Sequence, residues 1–443
     1  MPEDTQSPVG ITLVGAGVVG RGVLAILDEQ TALLKQRTGI DFVVRHVVVR
    51  DAARHSDLST RHALTSDLDA AITDPAVGIV VEVMGGIDAA AAVLHAAFAA
   101  GKHVVTANKA LIADRAAELF RAAKGRGVAI GFEASCGGGI PIIDALTRGL
   151  LGNRIDALVG IVNGTCNFIL TQMSDNGWTY EKALAEAQRE GFAEADPTLD
   201  VSGRDAAQKL SILASLAFNA AVREDDIAVV GIDTVQADDI RFARELGYTI
   251  KLLAIAERTG DALALRVHPS LVHDGDLMAD VGGSFNAISV YGHAIGHQFF
   301  YGRGAGQRPT ASAVVADIIG IATGVIPHAF GRLNIYPDSL GPARVLPFEQ
   351  THSRYYLRVT VRDEPGVFAD ITRSLGDNGI SLSGVHQKEI DVAGASVPVV
   401  VTTHKATEAA MRRAVAAIDA LPTVLPKTVC LRIVEQPTEY AEA

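Results

Sequence analysis

From Gly191 to Lys209 the chain reads Gly-Phe-Ala-Glu-Ala-Asp-Pro-Thr-Leu-Asp-Val-Ser-Gly-Arg-Asp-Ala-Ala-Gln-Lys. Four carboxylates, Glu194, Asp196, Asp200 and Asp205, and one lysine are thus gathered at the head of an apolar-periodic helix. A lysine whose pKa is tuned by burial and neighbouring charge can give a proton to a developing alkoxide, and carboxylates can hold an ammonium group. Asp205 and Lys209 are four residues apart and share a helix face. Ser202 has the chemistry of an N-cap, with Asp205 three positions on, where a carboxylate favours the positive helix end. The same letters also describe a plain capped helix with one exposed ion pair. Glu194 and Asp200, in the glycine- and proline-punctuated approach, favour a polar cleft over that bland reading.

A second chemical motif lies near the N-terminus. The apolar run Val9 to Val14 leads into Gly15-Ala16-Gly17-Val18-Val19-Gly20, and an aliphatic stretch follows at once. Strand, glycine turn and helix in that order form a dinucleotide-binding site. Gly15 makes the tight turn, Gly17 lets the backbone approach a pyrophosphate, Gly20 permits close helix packing, and the helix N-terminus offers N–H groups to the anion. The next apolar strand ends at Val49, with Arg50 and Asp51 following. An acid there suits the ribose hydroxyls of NAD and an arginine suits the 2'-phosphate of NADP. Arg50, with Arg54 and Arg61 nearby, tilts the reading toward NADP and leaves NAD open.

The elements that position these residues follow from hydrophobic patterning. Apolar runs at 42–49, 78–83, 103–106 and 128–132 alternate with alanine-rich helical stretches, as in a parallel sheet covered on both faces. Residues 1–137 are read as the dinucleotide-binding domain, with a helical return at 308–330. Residues 138–307, mixed helices and strands, form a second, α+β domain that carries the acid–lysine segment. The proline-bearing stretch 331–353 has no sustained period and reads as a linker. From 354 to 436 the order is βαββαβ, the ferredoxin-like arrangement. The fold class is therefore α/β, with a Rossmann-type sheet followed by two α+β parts.

Bulk properties narrow the function. The 443 residues exceed what one core normally supports, and 48% hydrophobic with 20% charged residues describes a folded protein. A net charge of -12 disfavours nucleic acid. The stretch 311–330 contains Asp317 and Pro327 and reads as a buried helix, so no membrane role is expected. Glu3 and Asp4 argue against a secretory signal, and the three cysteines (Cys136, Cys166, Cys430) fit a reducing cytoplasm. His268, His273, His293 and His297 lack metal-ligand spacing, and Trp178 is expected to anchor packing.

Several segments together carry a family resemblance. Gly191 to Lys209 resembles the signature of homoserine dehydrogenases, as do Gly160-Ile-Val-Asn-Gly-Thr-Cys-Asn-Phe-Ile-Leu170, Val104-Val-Thr-Ala-Asn-Lys109, Phe132-Glu-Ala-Ser-Cys-Gly-Gly-Gly-Ile-Pro141 and Tyr301-Gly-Arg-Gly-Ala-Gly306. Val361-Arg-Asp-Glu-Pro-Gly-Val-Phe368 resembles the opening of an ACT domain. The resemblance implies reversible reduction of L-aspartate 4-semialdehyde to L-homoserine with NADP or NAD. It makes Lys209 the acid/base residue, Lys109 a second lysine near the reacting carbon, Glu194 and Asp205 the substrate-holding carboxylates, and Asp200 their support. Gly191 and Gly306 join the glycine turn around the cofactor. It further implies a structural sodium ion on the carbonyls of Glu133, Cys136, Gly138 and Ile140, a homodimer or homotetramer pairing through the region around Asn163, and threonine feedback through the ACT domain. Cys136 stands where valine is usual and Cys166 where a hydroxyl residue is common. Two other readings compete. One is another ACT-bearing NAD(P)-dependent dehydrogenase acting on a 2-hydroxy acid, which would need an arginine and a His/acid pair. The other is a catalytically silent amino-acid sensor, which would have lost its lysines or carboxylates.

Overall fold

The computed structural model describes residues 8–387, 396–425, 427–435 and 437. Glu3, Asp4 and Gln436, which entered the sequence reading, lie outside the described residues. The chain divides into two compact units. The first comprises the described part of Met1–Ile155 with Gln208–Glu224 and Gln298–Ala343; the second comprises Asp156–Ala207, Asp225–His297 and the described part of Arg344–Ala443.

In the first unit, strands β1 (Val9–Val14), β2 (Phe42–Val48), β3 (Leu64–Thr65), β4 (Val77–Glu82), β5 (His103–Thr106) and β6 (Ile130–Gly131) form one sheet in the order β3-β2-β1-β4-β5-β6. Every neighbouring pair is parallel. All strands therefore end on one edge, and the order reverses at β1, which is the Rossmann arrangement. Ile11, Leu13, Val81 and Val105 are almost fully buried, as continuous apolar strands require when helices cover both faces.

One of those helices comes from far along the chain. Helix Gln307–Ala322 packs on helix Val18–Glu29, and a side chain at Gly22 would meet the Gln307 carbonyl at 2.7 Å. Helix Val325–Arg332 follows after a 77° bend, so no single helix among the described residues is long and apolar enough to span a membrane. The following residues carry fixed contacts of their own. Tyr336 packs on Phe120 and Phe330, and Lys124 pairs with Asp338 at 2.8 Å.

The second unit contains β7 (Ile155–Ile161), apart from its first residue, together with β8 (Ala228–Val229), β9 (Tyr248–Thr259), β10 (Ala262–His273) and β11 (Phe285–Gly292). Strand β12 (Gly296–Arg303) leads the chain back toward the first unit. The C-terminal part of the second unit contributes β13 (His352–Arg362), β14 (Leu382–Gln387), β15 (Ser396–Thr403), β16 (Ala406–Thr407) and β17 (Val429–Ile433). Helices Val367–Gly376 and Glu408–Asp419 cover one face of β13, β14, β15 and β17, completing the ferredoxin-like module around Tyr355, Leu357, Val401 and Ile418. This module shares its sheet with the central strands, because β17 pairs in parallel with β10 at Ser270↔Arg432 and Leu271↔Ile433.

A buried ion pair fixes the same junction. Arg358 on β13 makes two hydrogen bonds to Asp239 (2.6 and 3.0 Å), and the Tyr356 hydroxyl donates to the same carboxylate. Asp239 is fully buried and belongs to helix Ala237–Glu245. Such a pair contributes little against an apolar replacement of both partners, but removing one partner strands a buried charge. Arg358→Met is therefore expected to destabilise the chain by about 3–5 kcal/mol in urea unfolding. A loss below about 1 kcal/mol, the range of exposed pairs, would contradict this role.

Candidate active site

The glycine turn has the geometry that its sequence requires. Gly15 adopts φ +106°, and a side chain there would meet the Val83 carbonyl at 2.8 Å. At Gly20 it would meet the Gly15 carbonyl at 2.1 Å, while at Gly17 it would meet nothing within 4 Å. The turn is thus closed against the sheet at two glycines and open at the third, where a phosphate must approach. Gly17 is the residue before helix Val18–Glu29 and supplies no side-chain cap, so the first N–H groups of that helix have no acceptor from it.

A cleft of about 1060 Å³ opens on this turn and includes Gly15, Ala16, Gly17, Arg50, Asp51 and Gly85 in its lining. Val18, next in the turn, is strongly exposed, whereas Val19 is half-buried and Gly20 buried. Asp51 is already occupied locally, since it accepts from the Ala53 N–H at 3.0 Å and pairs with Arg54. Arg50 is exposed. Glu82, which carries no motif, is fully buried beside the cleft and holds Met84 and Gly85 of its lining. It accepts from the Met84 and Gly85 N–H groups and from the Thr106 hydroxyl at 2.7 Å. A lone acid ending the apolar strand Val77–Glu82 was the available signal.

Lys109 opens helix Lys109–Gly125 directly after β5, so it stands on the same carboxyl edge of the sheet as the glycine turn. Asn108 caps that helix by accepting from the Leu111 N–H and holds the neighbouring loop through the Gly86 carbonyl. Gly306, at φ +118°, precedes helix Gln307–Ala322 in the same unit. Neither Lys109 nor Gly306 lines the cleft. Gly191, at φ +77°, follows helix Tyr180–Arg189 in the other unit.

After β6 the chain turns through Glu133 to Ile140. Glu133 is buried; its backbone N–H donates to Asp317 at 2.8 Å, and its carboxylate accepts from the Ile143 and Asp144 N–H groups. Burial pushes the Glu133 carboxyl up to about 7 against the opposing pull of those N–H groups. Burial likewise raises Asp317 well above the usual range, with the nearby Glu133 charge adding to the shift. Gly137 and Gly138 turn the chain with φ +71° and +59°, and a side chain at Gly138 would collide with the Gly304 backbone at 2.4 Å. The carbonyls of Glu133 and Ile140 each accept one N–H, from Cys136 and Ile142, and a carbonyl oxygen has a second lone pair. Cys136 and Gly138 belong to the same buried turn, and carbonyl oxygens are the donor type that a hard cation takes. Among the described residues no three His, Cys, Asp or Glu side chains group as a metal site. The same turn touches the lysine helix: the Cys136 thiol lies 3.8 Å from the Lys209 carbonyl oxygen, and the Lys209 side chain is half-buried.

Helix Arg204–Phe218 carries both Asp205 and Lys209, one turn apart. Its start corrects the sequence reading of Ser202 as an N-cap. Ser202 instead closes the short helix Thr198–Val201, and Gly203 turns into the next helix at φ +85°, where a side chain would crowd Val229 at 3.0 Å. In the second unit, Asp200 and Asp205 are brought together by a residue read only as part of an assembly region. Asn163, itself buried, donates from Nδ2 to Asp200 (2.7 Å) and to Asp205 (2.8 Å), while its Oδ1 accepts from the Cys166 N–H and caps helix Gly164–Asn176. Cys166, where a hydroxyl is common, places its thiol 3.2 Å from the Asp200 carbonyl and so keeps the contact a hydroxyl would make. Glu194 is exposed, its carbonyl held by the Gln188 amide. Asp196 is also exposed and accepts from the Thr198 hydroxyl and N–H, which lower its pKa.

A Rossmann sheet with an open glycine turn, an acid–lysine helix and a C-terminal ferredoxin-like module define an NAD(P)-dependent oxidoreductase carrying an ACT domain. Comparison with known proteins agrees. Residues 15–133 match the family model described as "Homoserine dehydrogenase, NAD binding domain", 141–319 match "Homoserine dehydrogenase" and 355–421 match "ACT domain". A homoserine dehydrogenase of Pseudomonas aeruginosa is 40% identical over 97% of this chain and 99% of its own length. The crystal structure of one from Thiobacillus denitrificans superposes with a TM-score of 0.90 at 42% identity, covering 97% of this chain and 98% of that one. A hyperthermophilic archaeal homoserine dehydrogenase in complex with NADPH aligns with a TM-score of 0.61 at 28% identity, over 71% of this chain and 98% of its own. The chain belongs to the homoserine dehydrogenase family.

Asn163→Ala removes the donor that holds two carboxylates in place. A hydrogen bond to a charged group is worth about 1.5–3 kcal/mol, so kcat/KM for L-homoserine is expected to fall roughly ten- to hundredfold. The loss should fall mainly on KM, with nucleotide affinity unchanged because the glycine turn is untouched. An unaltered kcat/KM would show that the clamp does not serve substrate.

Proposed function

We propose that this chain catalyses the reversible NAD(P)H-dependent reduction of L-aspartate 4-semialdehyde to L-homoserine. The observation that carries the reading is a half-buried Lys209 whose backbone packs beside the turn that follows β6, on the carboxyl edge of the sheet bearing the glycine turn. The bound nicotinamide supplies the hydride. Lys209 donates the proton to the oxygen of the reduced aldehyde and takes it back in the reverse direction. Lys109 supplies a second positive charge that steadies the same developing alkoxide. Asp205 and Glu194 hold the substrate ammonium, and Asp200 shares Asn163 with Asp205. The turn Gly15 to Gly20 takes the cofactor, and the family resemblance adds Gly191 and Gly306 to its binding residues.

The engagement of Asp51 within its own turn favours Arg50 as the nucleotide-reading residue and therefore NADP over NAD. The archaeal family structure with NADPH supports the same preference. The carbonyls of Glu133, Cys136, Gly138 and Ile140 would hold a sodium ion, which would supply rigidity to the turn against which Lys209 packs. The family likeness further supports a homodimer or homotetramer, and threonine feedback through the ACT turn Asp363 to Gly366, where Gly366 precedes helix Val367–Gly376 at φ +93°.

The test is reduced-cofactor formation at 340 nm from L-homoserine at alkaline pH, with NADP and with NAD, in sodium and in choline buffer. The parent turns over, faster with NADP and with sodium. Lys209→Ala loses at least about a hundredfold in kcat, the lower end of what a positioned proton donor contributes, with cofactor affinity retained. Equal rates for variant and parent would refute the role given to Lys209.

A further inference from the structure

Glu82 ends β4 and Thr106 ends the neighbouring β5, and the two stand opposite each other in the parallel register. Both are fully buried, so the Glu82 carboxylate must find its donors inside the protein. One of its oxygens accepts from the Met84 N–H at 2.9 Å and the Gly85 N–H at 3.2 Å, and the other accepts from the Thr106 hydroxyl at 2.7 Å. The Thr106 oxygen accepts in turn from the Asn108 N–H at 3.0 Å. Asn108 closes the circuit: its Nδ2 donates to the Gly86 carbonyl at 2.6 Å, and its Oδ1 caps the helix that Lys109 opens.

The loops after β4 and β5 are thus tied twice, in the buried interior through Thr106 and nearer the surface through Asn108. Gly85 and Gly86 both have positive φ (+77° and +80°), and a side chain at either would meet nothing within 4 Å. With no neighbour packed there, the hydrogen bonds to Glu82 and Asn108 set the course of the chain. The loop starts at Val83, whose carbonyl leaves no room for a side chain on Gly15 of the glycine turn, and Val83 to Gly86 line the nucleotide cleft. One chain of contacts therefore runs from the cleft wall to the first turn of the Lys109 helix, all within the first unit.

We infer that Glu82, Thr106 and Asn108 are positioning residues through which a nucleotide seated in the cleft sets the direction of Lys109. The inference rests on the role given to Lys109 above. A nucleotide held against Met84 to Gly86 steadies the Gly86 carbonyl, hence Asn108, hence the helix turn from which the Lys109 side chain springs. Thr106 is the bridge, because its one hydroxyl donates to Glu82 and accepts from Asn108. Valine has the same shape and neither function.

The experiment compares the full chain with Thr106→Val, Thr106→Ser and Lys109→Ala in two ways: kcat for L-homoserine oxidation, and amide hydrogen exchange over residues 107–111 with and without saturating NADPH. Thr106→Val should lose about tenfold or more in kcat, as loss of a hydrogen bond to a charged group does, and Thr106→Ser, which keeps the hydroxyl, should restore most of it. In a Lys109→Ala background the Thr106→Val change should cost nothing further, because residues acting as a unit are not additive. NADPH should slow exchange over 107–111 in the parent and not in Thr106→Val. Asn108→Ser keeps a capping oxygen but not the reach to Gly86, so it carries the same test if Thr106→Val fails to fold. Full kcat in Thr106→Val, an equal loss in the Lys109→Ala background, or the same NADPH protection in both chains would each overturn the circuit, as would Lys109→Ala turning over at the parent rate. A parent inert toward L-homoserine would instead remove the reading of the reaction, and the exchange comparison alone would then decide for or against the circuit.

Discussion

A carboxylate removed from water must be given donors, and Asp205 is 3% exposed. The rest of the active site is organised around meeting that demand. Asn163 answers it from the end of the segment that follows β7, sharing one amide group between Asp205 and Asp200. The amide oxygen simultaneously caps helix Gly164–Asn176, so the clamp cannot rotate without uncapping a helix. Asp205 in turn fixes the rotation of helix Arg204–Phe218 and hence the direction in which Lys209, one turn later, projects. The direction of the Lys209 side chain is here inherited from the neutral amide of Asn163.

The first unit solves a related problem with glycines. Gly15 and Gly20 are forced by contacts with the Val83 and Gly15 carbonyls, whereas Gly17 is free of neighbours. Two of the three are thus needed by the protein itself and one by whatever approaches it. Gly138 repeats the logic at the far side of the sheet, since only a residue without a side chain can sit against Gly304. That close approach ties the turn beside Lys209 to the loop that launches helix Gln307–Ala322. Segments more than a hundred residues apart therefore complete one nucleotide-binding body.

Much of this was legible in the sequence because the signals are local. The strand–turn–helix at Val9 to Gly20, the parallel alternation and the βαββαβ order depend on short-range periodicity, and each occurs where the letters place it. Ser202 was misread because a capping residue and a helix-closing residue use the same letter; the left-handed Gly203 decides between them. Asn163 and Glu82 were missed as site-forming residues for a different reason. Their partners lie 42 and 24 residues away, and no periodicity encodes a hydrogen bond of that reach. The pairing of β17 with β10 was likewise invisible, since a compact ferredoxin-like pattern reads as closed upon itself although its edge strand continues another sheet. The resemblance to the family supplied the roles of Lys109 and Glu194, which composition and spacing alone would not have assigned.

The central claim concerns one ammonium group and one oxygen atom. A crystal structure of the chain with oxidised cofactor and L-homoserine tests it most directly. The side-chain hydroxyl oxygen of homoserine should lie within about 2.6–3.2 Å of Lys209 Nζ, the reach of a proton donor. A fully occupied ternary complex in which that oxygen is bound elsewhere, with Lys209 turned to solvent, would contradict it.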